Sequence, residues 1–228
     1  MNYKDGTVLY FNKPLYWTSF QLVNKVKFAL KKHLQDKKIK VGHAGTLDPL
    51  ATGVMIICTG KATKSIERYQ HQPKEYIATI ELGATTPSFD LEHPIDERYE
   101  TAHITADLIK KTLLTFIGEI DQVPPVYSAV KVNGKRAFDY ARQGEEVSLK
   151  TKKLVIDTIE ILDFALPVLK IRIVCSKGTY IRALARDIGI ALNSGAHLIA
   201  LERTRIGDVS LDKCQSIEAF SSSLEEPK

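Results

Sequence analysis

Apolar residues recur along this chain with two periods. Leu22, Val23, Val26, Leu30 and Leu34 fall three and four apart, which lays one stripe along a helix. Thr18 or Ser19 stands ahead of that stripe as a capping residue, so a helix to about Leu34 is predicted. From Tyr76 to Leu82 (YIATIEL) apolar and polar positions alternate, as in a strand with one covered face. Val54 to Cys58 (VMIIC) is apolar without a break, which predicts a strand covered on both faces.

The same reading predicts strands at 6–11, 127–132, 153–162, 168–175, 197–202 and 205–210. Helices are expected at about 61–69, 105–116, 137–143, 178–192 and 216–228, the second capped by Thr105. Asn133-Gly134 signals a hairpin turn. There is no internal repeat and no βαβ rhythm. An α+β fold follows, with a central mixed, largely antiparallel sheet flanked by helices and loops.

Composition adds three constraints. With 44% hydrophobic and 26% charged residues, the 228-residue chain reads as globular. No apolar run reaches membrane-spanning length and MNYKDGTV is not a signal-peptide pattern, so no membrane partner and a cytoplasmic location are expected. Cys58, Cys175 and Cys214 are isolated and odd in number, which suits reduced thiols. Charge is segregated: residues 1–70 hold 12 Lys and Arg against 4 Asp and Glu, residues 71–125 hold 4 against 10, and the rest 16 against 13. A basic N-terminal third suits a polyanion such as nucleic acid, or simply keeps 31-KKHLQDKKIK-40 solvated.

The chemistry concentrates in 41-VGHAGTLDPLATG-53, where Asp48 lies between Leu47 and Pro49 among three glycines. A turn or cap residue is the commonplace role for such an acid. A phosphate cradle is poorly supported, because 60-GKAT-63 lacks the upstream glycine of a P-loop. The six histidines show no ligand spacing, so no metal site is expected. An aspartate acting as nucleophile or as acid/base is the sharper reading. Held at a sheet edge in apolar surroundings, it would need a cation partner to stay ionised, and 176-SKGTYIRALARD-187 offers candidates.

GHAGTLDPLATG resembles the active-site motif of the TruB family of tRNA pseudouridine synthases. Further blocks match in order: 13-KP-14, 60-GKATK-64, 76-Y…LG-83, 123-VPPVYSAVKVNGKRAFDYARQG-144, 174-VCSKGTYIRALARDIG-189 and 195-GAHLIALERTRIG-207. The resemblance implies the pseudouridine synthase fold around an RNA-binding cleft. It also implies isomerisation of uridine to pseudouridine at position 55 in the tRNA T-loop, without cofactor or metal. Asp48 aligns with the catalytic aspartate, as nucleophile toward the ribose or as base in a glycal route. Arg182 aligns with its arginine partner and Tyr76 with the tyrosine that packs on the target base. Tyr180 belongs to the same pocket, His43 to base flipping and Leu201 to an apolar pocket position. Lys13 and Lys64 fall in matched blocks and are assigned to RNA-backbone or motif support.

Bacterial members often carry Gly where this chain has Tyr16 in 13-KPLYWTS-19. Many also continue into a small RNA-binding PUA domain, whereas this sequence ends about 20 residues after 205-RIGD-208. A single catalytic domain over 1–228 without that PUA domain is therefore expected, acting as a monomer without an obligate protein partner. Two rival readings remain: a guide-dependent relative working on ribosomal RNA inside a ribonucleoprotein, and a non-catalytic RNA-binding or tRNA-folding module on the same scaffold.

Overall fold

The computed structural model describes residues 2–225. In chain order the elements are β1 (Val8–Lys13), α1 (Ser19–Leu34), β2 (Val41–His43), β3 (Ala51–Thr59), a 3-10 turn (Gly60–Ser65), α2 (Ile66–His71), β4 (Lys74–Leu82), β5 (Ala84–Thr85), β6 (Glu97–Arg98) and α3 (Ala106–Leu114). There follow β7 (Gly118–Gln122), β8 (Lys131–Val132), β9 (Lys135–Arg136), α4 (Ala137–Arg142), β10 (Lys152–Ala165), β11 (Val168–Cys175), α5 (Ile181–Ala191), β12 (Ala196–Ile206), β13 (Val209–Ser210) and α6 (Ile217–Ser223). The chain forms two compact units, residues 1–76 with 201–228 and residues 77–200. It passes from one to the other within β4 and returns within β12.

In the first unit β3 is the central strand. It pairs antiparallel with β1 and β2 and parallel with the C-terminal part of β12, which turns back into β13. Its unbroken apolar sequence is explained by two covered faces. Met55 and Ile57 pack with Phe11, with Leu22, Val26 and Leu30 of α1, and with Phe220 of α6. Val54, Ile56 and Cys58 pack on the other side with Ile206 and Val209. Each such buried aliphatic side chain contributes roughly 1.5–3 kcal/mol. Helix α1 begins where expected: Thr18 accepts from Gln21 N–H while Gln21 reaches back to the Thr18 N–H, a reciprocal capping box.

In the second unit the strand order is β4–β11–β10–β7. Lys74, Tyr76, Ala78, Ile80 and Leu82 form the buried side of β4, as the alternation predicted. The antiparallel β10–β11 pair likewise appears where two strands were expected.

Several boundaries differ from expectation. Residues 127–130 do not form a strand. Pro124 and Pro125 remove two backbone donors just before them, and Ser128 N–H turns back to Val126 C=O at 2.8 Å while Ala137 N–H takes Val130 C=O at 2.7 Å. Only the short β8–β9 hairpin around Asn133-Gly134 remains there. Gly178, at φ +91°, sits in the turn before α5 rather than opening it, which leaves Tyr180 as the N-cap residue. β12 is one continuous strand where two were expected, and β7 went unpredicted. Of the terminal helix expected over 216–228, residues 226–228 lie outside the described residues and α6 ends at Ser223.

Candidate active site

Asp48 lies in the loop joining β2 to β3, and several neighbouring backbone groups are held by partners distant in sequence. Leu47 is buried, and Ser19 grips it twice: its hydroxyl oxygen accepts from Leu47 N–H at 2.8 Å and donates to Leu47 C=O at 2.9 Å. Pro49 C=O accepts from Tyr16 N–H at 2.8 Å and from the Lys13 ammonium at 3.5 Å. Asp48 C=O accepts from Ala51 N–H at 3.1 Å, closing a turn into β3. At the strand's start Gly53 N–H donates to the Asn12 side-chain carbonyl at 3.2 Å.

On the N-terminal side the clamp is Arg203, almost fully buried on β12. Its Nε donates to Val54 C=O at 2.8 Å, Nη2 to Gly45 C=O at 3.1 Å and Nη1 to Thr46 C=O at 3.3 Å. One planar guanidinium thus spans both the loop and the strand it enters. The approach requires glycine at position 53: φ is +112° there, and an added Cβ would lie 2.2 Å from Arg203 O.

Lys13 is also fully buried. Its ammonium donates to Trp17 C=O at 2.6 Å and Pro14 C=O at 2.9 Å in addition to Pro49. Burial pushes its pKa down to about 8; the Asp48 carboxylate acts against that shift and the Arg203 charge reinforces it. His43, half-buried, is held below its usual value first by burial and further by Arg203, while Gly45 N–H, donating to its Nδ1 at 3.3 Å, opposes the shift. Tyr16 adopts φ +65°, a left-handed conformation that glycine enters without steric cost and that a tyrosine rarely adopts. Its side chain is 73% exposed.

The first unit therefore gathers Asp48, Lys13 and His43 around one loop, and the parallel register sets Leu201 opposite Ala51, three residues after Asp48. Lys64 is not among them: it lies in the 3-10 turn at the other end of β3. Tyr76 is buried on β4.

In the second unit the Arg182 guanidinium, also buried, donates to Ser88 C=O at 3.1 Å and Tyr127 C=O at 3.0 Å and pairs with Asp90 at 3.5 Å. The buried side-chain amide of Gln122 brackets Tyr180, accepting its N–H at 2.9 Å and donating to its C=O at 3.2 Å. Arg186, not Arg182, pairs with Asp187.

Sequence reasoning named Ser19 only as a possible helix cap and did not single out Asn12, Gln122 or Arg203. An arginine inside 195-GAHLIALERTRIG-207 was the one available signal, since a charge within an apolar strand must find partners. Among the described residues, no group of three or more His, Cys, Asp or Glu is placed to hold a metal ion, and no helix is long and apolar enough to cross a membrane.

Residues 31–181 match the model of the TruB family pseudouridylate synthase N-terminal domain. The chain belongs to the TruB family. A tRNA pseudouridine synthase B from Phocaeicola vulgatus is 66% identical over 226 residues, covering 99% of this chain and 96% of its own length. The tRNA pseudouridine synthase B of Flavobacterium johnsoniae is 52% identical, covering 98% of both. Among solved structures, a Cbf5-Nop10-Gar1 complex superposes with a TM-score of 0.71 at 28% identity over 97% of this chain. An H/ACA RNP bound to a substrate RNA containing 2'-deoxyuridine gives 0.68 at 26% over 96%. This chain spans 55% and 53% of those two chains. Both the family and the fold expected from the ordered TruB motifs are borne out.

Proposed function

We propose that the protein converts uridine to pseudouridine at position 55 of the tRNA T-loop, acting alone, in the cytoplasm and without a cofactor. The observation that carries this reading is the loop around Asp48, whose backbone is held on both sides of that residue, as positioning a reacting carboxylate requires. The high identity to relatives named tRNA pseudouridine synthase B, against 28% for a chain from a Cbf5-Nop10-Gar1 complex and 26% for one from an H/ACA RNP, favours the stand-alone enzyme over a guide-dependent one.

The reaction is balanced within the nucleotide. The bond from N1 to C1' breaks, the base turns, and C5 bonds to C1'; the proton leaves C5 and N1 gains one. Asp48 either attacks C1' or removes a ribose proton to form a glycal. Arg182 would pair with its carboxylate and keep it ionised. Tyr76 would pack on the base and receive the C5 proton, Tyr180 and Leu201 would complete the pocket, and His43 would fill the space left by the flipped base. Lys13 serves here as motif support, since its donors are spent on backbone carbonyls.

The test is tritium release from a tRNA transcript labelled at uridine C5. Release by wild type, abolished both by Asp48→Asn and by a cytidine at position 55, is the expected result. Tight tRNA binding by wild type without release would replace the enzyme with a binding module.

A further inference from the structure

Lysines of the basic N-terminal third converge at a place the reaction does not use. Lys4, Lys38, Lys40, Lys61 and Lys64 line one cavity of about 320 Å³ in the first unit, with Asp36 as its acidic member. The sequence brings them there from three segments: the N-terminus, the run 31-KKHLQDKKIK-40 and the turn after β3. Gly60 N–H donates to Lys40 C=O at 2.9 Å, which fixes the last two together.

Asp36 is committed to Lys4 at 3.1 Å, and Lys61 meets Asp5 at 3.3 Å across exposed surface. Lys38, Lys40 and Lys64 form no ion pair among the described residues. Those three ammonium groups stand around one cavity without a carboxylate partner, and their mutual repulsion does nothing for stability. The arrangement gains free energy when an anion enters. Lysine ammoniums act as mobile point charges, a chemistry suited to phosphate oxygens rather than to planar bidentate recognition.

The location decides which phosphates. Asp48 lies three residues before the first residue of β3, and Gly60 follows its last. Nine strand residues separate the two ends, roughly 30 Å at about 3.3 Å per residue. We infer that this lysine-lined cavity is a second RNA contact, binding backbone phosphates of the substrate RNA well away from the uridine that reacts. This rests on the RNA substrate reading and adds to it a contact that the target loop alone cannot reach.

The test compares wild type with the triple variant Lys38→Gln, Lys40→Gln, Lys61→Gln. All three side chains are exposed and the one ion pair lost, Lys61 with Asp5, lies on the surface, so the melting temperature should change little. Dissociation constants are measured across a KCl series for a full tRNA transcript and for a short stem-loop that carries only the target loop and a few base pairs. With about 0.7–0.9 released counterions per phosphate contact, the variant's salt slope on tRNA should fall by roughly 2–3. On the stem-loop the two proteins should behave alike.

Equal slopes for both proteins on tRNA would overturn the inference. An equal loss on both RNAs would overturn it too, showing only a general field of positive charge. A calorimetric titration with inorganic pyrophosphate separates the remaining source: binding to wild type, lost in the variant, with the tRNA slope unmoved, would make the occupant a small phosphate compound. Wild type that bound neither RNA would bring down the substrate reading, and this contact with it.

Discussion

Replacing Ser19 by alanine removes one oxygen atom and leaves the Leu47 N–H and C=O without their partner. Both groups are enclosed, since Leu47 is only 4% exposed, so water is poorly placed to substitute. An orphaned buried polar group costs roughly 1–3 kcal/mol, which puts the loss for two near 3 kcal/mol after local relaxation. For a chain of this length that is a fall in melting temperature of about 6–12 °C. Out of roughly 5–15 kcal/mol of total stability the variant should remain folded at 25 °C. Asp48 follows Leu47 directly, and a displacement on the order of 1 Å at a reacting group costs about a hundredfold in rate. Turnover in single-turnover tritium release should therefore fall by about 10- to 100-fold, with RNA affinity held. Thr18→Ala is the control: it removes the α1 cap, costing about 1 kcal/mol, but touches nothing in the loop. If Ser19→Ala melted with wild type, the bonding account would be wrong; if it melted early yet turned over normally, Ser19 would be a stability residue with no hold on Asp48.

Asp48→Asn should bind tRNA within a fewfold of wild type in a filter assay while losing measurable release. Lys13 has a folded pKa of about 8, below its ordinary 10.5, so the unfolded chain binds the proton more tightly between those values. Stability should rise with pH across that window in wild type relative to Lys13→Met, measured by denaturant titration at several pH values; parallel curves would exclude a depressed Lys13. Gly53→Ala should fail to yield soluble protein, because its Cβ would run into the Arg203 backbone. Gly134→Ala, whose Cβ would meet nothing within 4 Å, should cost only about 1 kcal/mol of left-handed strain in a thermal melt.

The elements most legible in the sequence were those whose own residues carry a period. β4 alternates and α1 has a stripe and a cap, so both were placed from local pattern. β3 announced its two covered faces by having no polar position from Val54 to Cys58. β7 was missed because Gly118–Gln122 (GEIDQ) has a single aliphatic side chain and becomes a strand only by pairing with β10. Asp48 was singled out as the candidate because it stood in a motif, and the ordered motifs were enough to place the chain in its family.

What holds Asp48 still could not be read in this way. The partners of Arg203 are the carbonyls of Gly45, Thr46 and Val54, and those of Ser19 are the amide and carbonyl of Leu47. Every residue owns a carbonyl, so such bonds leave no preference for residue type at the accepting end. The lysine cavity is similar: three basic segments look like solvated surface until folding brings them round one space. The sequence by itself determined the family and most of the longer strands and helices, and it singled out Asp48 as the candidate carboxylate. Tertiary structure alone decided which buried cations fix the loop, and β3 sets Lys64 at the end opposite to it. Side-chain pattern is written locally, whereas hydrogen bonds to backbone across some 150 residues are set only when the chain has folded.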